Sequence, residues 1–107
     1  MYEPPTLKAA RLQLHAGLRK DAPAKPLDGP IRLTCTWEWE PSRKKDSGKW
    51  KLTRPDTDNL QKLLKDVMTE CGYWHDDAQV VSEHVQKRWN SVPGLTIQVE
   101  QIDAVSQ

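Results

Sequence analysis

From Ile31 to Trp39 the apolar residues Ile31, Leu33, Cys35, Trp37 and Trp39 alternate with Arg32, Thr34, Thr36 and Glu38. A repeat of two places one set of side chains on each face of an extended chain, so this run predicts a strand with one buried face. Such a strand needs a cover. Leu60, Leu63, Leu64, Val67, Met68 and Cys71 supply it, because their spacing of three and four draws one apolar stripe along a helix of about fourteen residues. Gly72 is placed to stop that helix. A weaker stripe, Leu7, Ala10, Leu14 and Leu18, predicts a helix over 6–18 with Thr6 as its N-cap behind Pro4 and Pro5. Pro23, Pro26, Gly29 and Pro30 make the stretch between that helix and the strand a surface connection.

Further along, Val81, Val85 and Trp89 predict one strand face and Leu95, Ile97 and Val99 another. Residues 90–94 read as the turn of an antiparallel hairpin, and 103–107 are expected to fray. The fold class is therefore α+β, two helices packed on a small mixed or antiparallel sheet, in a single domain over 1–107. A chain of 107 residues buries only a small core, so a homodimer sharing its core is expected. With no apolar run near the ~18 residues of a membrane span and no signal peptide, the chain reads as cytoplasmic, with no membrane partner. Cys35 and Cys71 lack C-x-x-C spacing and read as buried thiols.

Net charge is +1 and says little, but its distribution is uneven. Arg43, Lys44, Lys45, Lys49, Lys51 and Arg54 face only Glu40 and Asp46 within 40–55, a stretch read as a long loop with its tip at Asp46-Ser47-Gly48. These six cations, extended by Lys87 and Arg88, are candidate phosphate contacts. Trp50 reads as an anchor of that loop, the alternative being stacking on an unpaired base. The other tryptophans, Trp37, Trp39, Trp74 and Trp89, read as packing residues.

Carboxylates cluster around the second helix: Asp56 and Asp58 before it, Asp66 on it, Asp76 and Asp77 after it. Oxygen donors without thiols or paired histidines suit a hard cation, Mg²⁺ or Mn²⁺. A calcium loop of the helix–loop–helix type does not fit, because Leu60 and Gln61 stand where it requires an acid or amide and a glycine. Plainer roles compete. Asp58 and Gln61 have capping-box spacing, Lys62 is an i+4 partner for Asp58, and Asp76-Asp77 suit a turn. The helix is roughly 21 Å long at 1.5 Å per residue. Gly72 to Asp77, extended, returns about 17 to 20 Å, enough to bring Asp77 back beside Asp58 within one chain. The other route to one site is across a dimer interface.

The run Arg54-Pro55-Asp56-Thr57-Asp58-Asn59-Leu60-Gln61-Lys62, then Asp66, then Gly72 to Val81 containing Asp76-Asp77-Ala78-Gln79-Val80, resembles the RusA family of Holliday junction resolvases. That family's pattern is D-x-D-N-L-x-K followed by D-D-x-Q-V, and the close match covers about 30 residues, long for a short-motif match. The resemblance implies a homodimeric, Mg²⁺-dependent endonuclease acting on four-way DNA junctions, with Mn²⁺ able to substitute and no small-molecule substrate. It implies Asp56, Asp58 and Asp77 as metal ligands, Lys62 beside the scissile phosphate and Asp76 as a supporting acid. The family's usual first strand is expected to be absent here, Tyr2, Pro5 and Thr6 resembling its lead-in to the first helix. His75 reads as a loop residue. The alternative to a nuclease is a junction- or duplex-DNA-binding module without catalysis.

Overall fold

The computed structural model describes residues 4–105, with side chains from residue 9 onward. Its elements are α1 (Pro4–Lys20), β1 (Ile31–Trp39), a 3-10 turn (Lys44–Asp46), α2 (Thr57–Glu70), a second 3-10 turn (Asp77–Gln79), β2 (Val80–Trp89) and β3 (Gly94–Gln101). The resemblance of Tyr2 to a family lead-in and the fraying of 106–107 lie outside the described residues. Helix α1 opens at Pro4, so Thr6 lies inside it and does not cap it. Proline suits a first turn, where its missing N–H has no helical partner to lose.

The three strands form one mixed sheet in the order β2-β1-β3, with β1 parallel to β2 and antiparallel to β3. The predicted β2–β3 hairpin is not formed. Helix α2 is the crossover that returns the chain to the start of β1, as parallel neighbours require. The segment 90–93 then carries it across the end of β1 to the other edge, held by the Asn90 N–H donating to the Trp39 carbonyl (2.8 Å). The physical reason lies in β1. Its Ile31, Leu33 and Cys35 are fully buried, and a central position lets partners on both sides satisfy its backbone groups.

Register explains a second departure. Ile31 pairs with Val80 but Arg32 pairs with Ser82, so Val81 is an extra, bulged residue, and it is 63% exposed. The bulge resets the alternation, and Glu83, Val85, Lys87 and Trp89 become the neighbours of Leu33, Cys35, Trp37 and Trp39. Val81 therefore does not share a face with Val85 and Trp89. On the other side, Leu95, Ile97 and Val99 pair with Trp37, Cys35 and Leu33 and join the core.

That core is β1's alternating set closed by Leu60, Leu64, Val67 and Met68 of α2, with Leu18, Tyr73 and Trp74 at its end. Helix α2 stops as Gly72 implies. The Gly72 N–H donates to the Thr69 carbonyl and the Tyr73 N–H to the Met68 carbonyl, with Gly72 at φ +82°. Tyr73 then anchors α1, its hydroxyl donating to the Leu18 carbonyl (2.6 Å), while Arg11 pairs with Glu70. Cys35 is buried as expected, whereas Cys71 is only partly so. Among the described residues no helix is long and apolar enough to cross a membrane.

Because a side chain at Gly72 would sit in the left-handed region, Gly72→Ala is expected to lower the unfolding free energy by about 1–2 kcal/mol, measured by urea denaturation.

Candidate active site

The first turn of α2 decides what its acids can do. Asp56, not Asp58, is the N-cap, with its Oδ1 accepting from the Asn59 N–H at 2.9 Å. An acid here complements the helix dipole as well as one free N–H. Asp58, released from capping, lies in the first turn, and Asp58, Gln61, Lys62, Lys65 and Asp66 recur at three- and four-residue spacing on one side of the helix. Together with Asp77, Glu83 and Val85 they line a cleft of about 370 Å³ between α2 and β2. Asp58 and Asp77 thus line the same cleft within one chain.

Asp56 and Asp76 do not line that cleft. Asp76 caps the 3-10 turn, accepting from the Ala78 N–H (2.8 Å), and the Gln79 side chain answers by accepting from the Asp76 N–H (3.0 Å). This reciprocal box aims Asp77, the next residue, into the cleft from the start of the turn. The three acids expected as ligands are therefore not gathered at one point. Among the described residues no group of three or more His, Cys, Asp or Glu side chains is placed to hold a metal ion. Of the cleft's four carboxylates, Glu83 is taken up by Gln61 and Lys65 and Asp66 lies about two turns further along α2, which leaves Asp58 and Asp77 as the two expected ligands that line it. Mg²⁺ is commonly held by one or two carboxylates, with water and substrate phosphate completing its shell, and the donor type of these acids suits that use.

Two cleft residues escape a motif reading. Gln61 is only 5% exposed and is not the partner in a capping box. Its Oε1 accepts from the Trp37 indole N–H (2.7 Å), and its Nε2 donates to Glu83 Oε2 (2.8 Å). The assignment of oxygen and nitrogen follows from the partners, since an indole can only donate and a carboxylate only accept. Glu83 also accepts from Lys65 (3.0 Å), so Lys65 is paired and Lys62 is the exposed cation of the cleft. Glu83 was legible only as a polar strand residue, although it shares the parity of Val85 and Trp89.

The basic segment divides into two groups. Arg43, Lys44, Lys45, Lys49 and Arg54 are exposed. Asp46 accepts from both Arg43 and Lys49 at 3.1 Å, and the Lys49 ammonium, followed by the Arg43 guanidinium, holds its carboxyl below the usual range. After Gly48 (φ +92°) the chain runs antiparallel along the free edge of β2. Gly48 N–H donates to the Trp89 carbonyl, Trp89 N–H to the Lys49 carbonyl, and Lys51 N–H to the Lys87 carbonyl. The loop is thus partly a fourth, edge strand.

Alternation along that edge overturns two expectations. Trp50, opposite Arg88, is 59% exposed and anchors nothing, and Leu52 is 90% exposed. Lys51 between them is 7% exposed, its ammonium 4.5 Å from the Trp89 ring centre and 5.2 Å from that of Trp39. Desolvation, then the charge of Lys87, lowers its pKa. Lys87 turns inward too, donating to the Thr53 (2.8 Å) and Pro55 (2.7 Å) carbonyls. Lys51 is thus buried away from solvent, and the half-buried Lys87 has its ammonium engaged by two carbonyls. Arg88 is half committed, pairing with Glu38 at 2.9 Å.

The family model described as Endodeoxyribonuclease RusA matches residues 1–100. The chain is 33% identical over 91 residues to the Crossover junction endodeoxyribonuclease rusA of Lactococcus phage r1t, covering 83% of this chain and 70% of that one. It is 56% identical over 34 residues to the protein named Crossover junction endodeoxyribonuclease RusA in Escherichia coli, 32% of this chain and 28% of the relative. The Enterobacteria phage 82 protein of that name matches to the same extent. The chain belongs to the RusA family of endodeoxyribonucleases.

Replacing Gln61 by leucine leaves the Trp37 N–H without its acceptor and Glu83 with one donor fewer. Gln61→Leu is expected to cost about 1–3 kcal/mol of stability by urea titration, despite the better apolar match.

Proposed function

We propose that the chain is a structure-specific endodeoxyribonuclease that resolves Holliday junctions in the cytoplasm by metal-assisted phosphodiester hydrolysis. The observation that carries this reading is that Asp58 and Lys62 of α2 and Asp77 of the 3-10 turn after it line one cleft of a RusA-family chain. Asp58 and Asp77 would hold Mg²⁺, with Mn²⁺ able to replace it. When bound, such an ion supplies Lewis-acid stabilisation of phosphoryl charge and lowers the pKa of a coordinated water.

The chain's own residues do the rest. Lys62, an exposed point cation on the cleft wall, offsets charge on the phosphate being cleaved and needs no bidentate geometry to do so. Asp56 fixes where α2 begins, and it can join the other acids only by giving up its bond to the Asn59 N–H. Asp76 acts through the turn that presents Asp77. Lys44, Lys45, Lys49 and Arg54, on the exposed loop, meet the backbone of the branched DNA.

Two opposed incisions call for two sites, which a two-fold homodimer provides. An apolar groove of about 920 Å³ with Leu14, Leu63, Leu95 and Ile97 in its walls is the surface such a dimer would cover. The capping role of Asp56 favours one second reading, a junction-binding protein without nuclease activity.

Cleavage of an end-labelled synthetic four-way junction in Mg²⁺ separates the two. Paired nicks in the four-way junction but not in linear duplex, lost in Asp58→Asn, are expected; binding without nicks in Mg²⁺ or Mn²⁺ selects the second reading. In salt titrations of junction affinity, Lys44→Ala, Lys45→Ala and Arg54→Ala should each reduce the log–log slope by about 1.

A further inference from the structure

Three consecutive carbonyls just ahead of the cleft are held by two inward-facing lysines. Lys87 donates to Thr53 O (2.8 Å) and Pro55 O (2.7 Å), and Lys51 donates to Arg54 O between them (2.7 Å) and to the Thr53 hydroxyl. Two ammonium groups repel, and here one is almost wholly buried. The arrangement is sustained because carbonyl oxygens and the faces of Trp39 and Trp89 surround the charge.

The next residue is Asp56, the cap of α2, and two residues later comes Asp58. Thr53 to Pro55 has no regular secondary structure to fix it. Its position relative to the sheet therefore depends on side chains, and the two lysines tie it to β2 and to the edge segment paired with β2. Asp77 reaches the cleft from the 3-10 turn that leads directly into β2, so both carboxylates are referenced to one strand.

We infer that Lys51 and Lys87 are positioning residues of the nuclease site, which clamp the 53–55 carbonyls and so set Asp58 against Asp77, and are not phosphate contacts. This rests on the nuclease reading above. Displacement of about an ångström at a reacting centre can cost a hundredfold in rate, which makes the clamp consequential without any contact to DNA.

The test compares Lys87→Met and Lys51→Met with wild type and with Lys44→Ala, after each is shown by circular dichroism to be folded. Lys87, less buried than Lys51, is the variant that keeps the test informative if Lys51→Met unfolds. Both lysine variants are expected to lower the single-turnover cleavage rate at saturating protein by about 10–100-fold and to raise the Mg²⁺ concentration for half-maximal rate. Junction affinity should stay within about twofold and its salt slope should be unchanged, whereas Lys44→Ala lowers the slope by about 1. Hydrogen exchange should rise in residues 53–59 and not elsewhere. A slope lower by about 1 with an unchanged single-turnover rate would make the lysines phosphate contacts and overturn the inference. So would unchanged exchange in 53–59. A wild-type chain that makes no nicks overturns the nuclease reading itself, and the exchange data then show whether the clamp exists apart from it.

Discussion

The amide of Gln61 joins the three parts that must agree for this chain to have a cleft. Its oxygen accepts a hydrogen bond from the Trp37 indole N–H on the central strand, and its nitrogen donates to Glu83 on the parallel neighbour, so one side chain of α2 fixes the helix to both. Apolar packing holds α2 against the sheet but is not directional, and it would tolerate a small slide along the stripe. Two hydrogen bonds in a buried setting remove that freedom, because breaking either strands a polar group away from water. Asp58, Lys62 and Lys65 lie on the same side of α2 as Gln61, and their place over β2 follows from it.

Charge is used in two opposite ways along the basic segment. Where the chain bends through the 3-10 turn, cations stand in solvent and some are bridged by Asp46. Where it pairs with the edge of β2, alternation turns Lys51 inward and Trp50 and Leu52 outward, the reverse of what polarity alone would favour. Backbone pairing sets this parity, and the cost of burying an ammonium is offset locally by indole faces and carbonyl oxygens. A cation-rich stretch is thus not uniformly a cation-rich surface.

The elements were largely legible and their arrangement was not. The alternation from Ile31 to Trp39 and the stripe from Leu60 to Cys71 each match an element, because each is long enough for its period to be read without ambiguity. The hairpin of β2 and β3 was misread because a short turn between two apolar strands looks alike whether they pair or flank a third strand. The face of β2 was misread at Val81 alone, because the bulge takes that residue out of the alternation that Val85 and Trp89 keep. At the site, chain lengths alone allow Asp58 and Asp77 to line one cleft, and Glu83 and Lys87 share the parity of Val85 and Trp89, while nothing local turns Lys51 inward.

By itself the sequence determined which segments become helix or strand, where α2 ends, and which acids and cations could carry phosphodiester chemistry, since periodicity, glycine at a helix end and residue type are local properties. Only the tertiary structure decided which of them meet. Asp56 became a helix cap and Asp58 a cleft acid, although they are two residues apart in the same motif, because the direction in which α2 leaves the sheet is set by contacts from Trp37, Glu83, Lys51 and Lys87, all distant in the chain. Side-chain direction at a helix start depends on that geometry, and no spacing rule contains it.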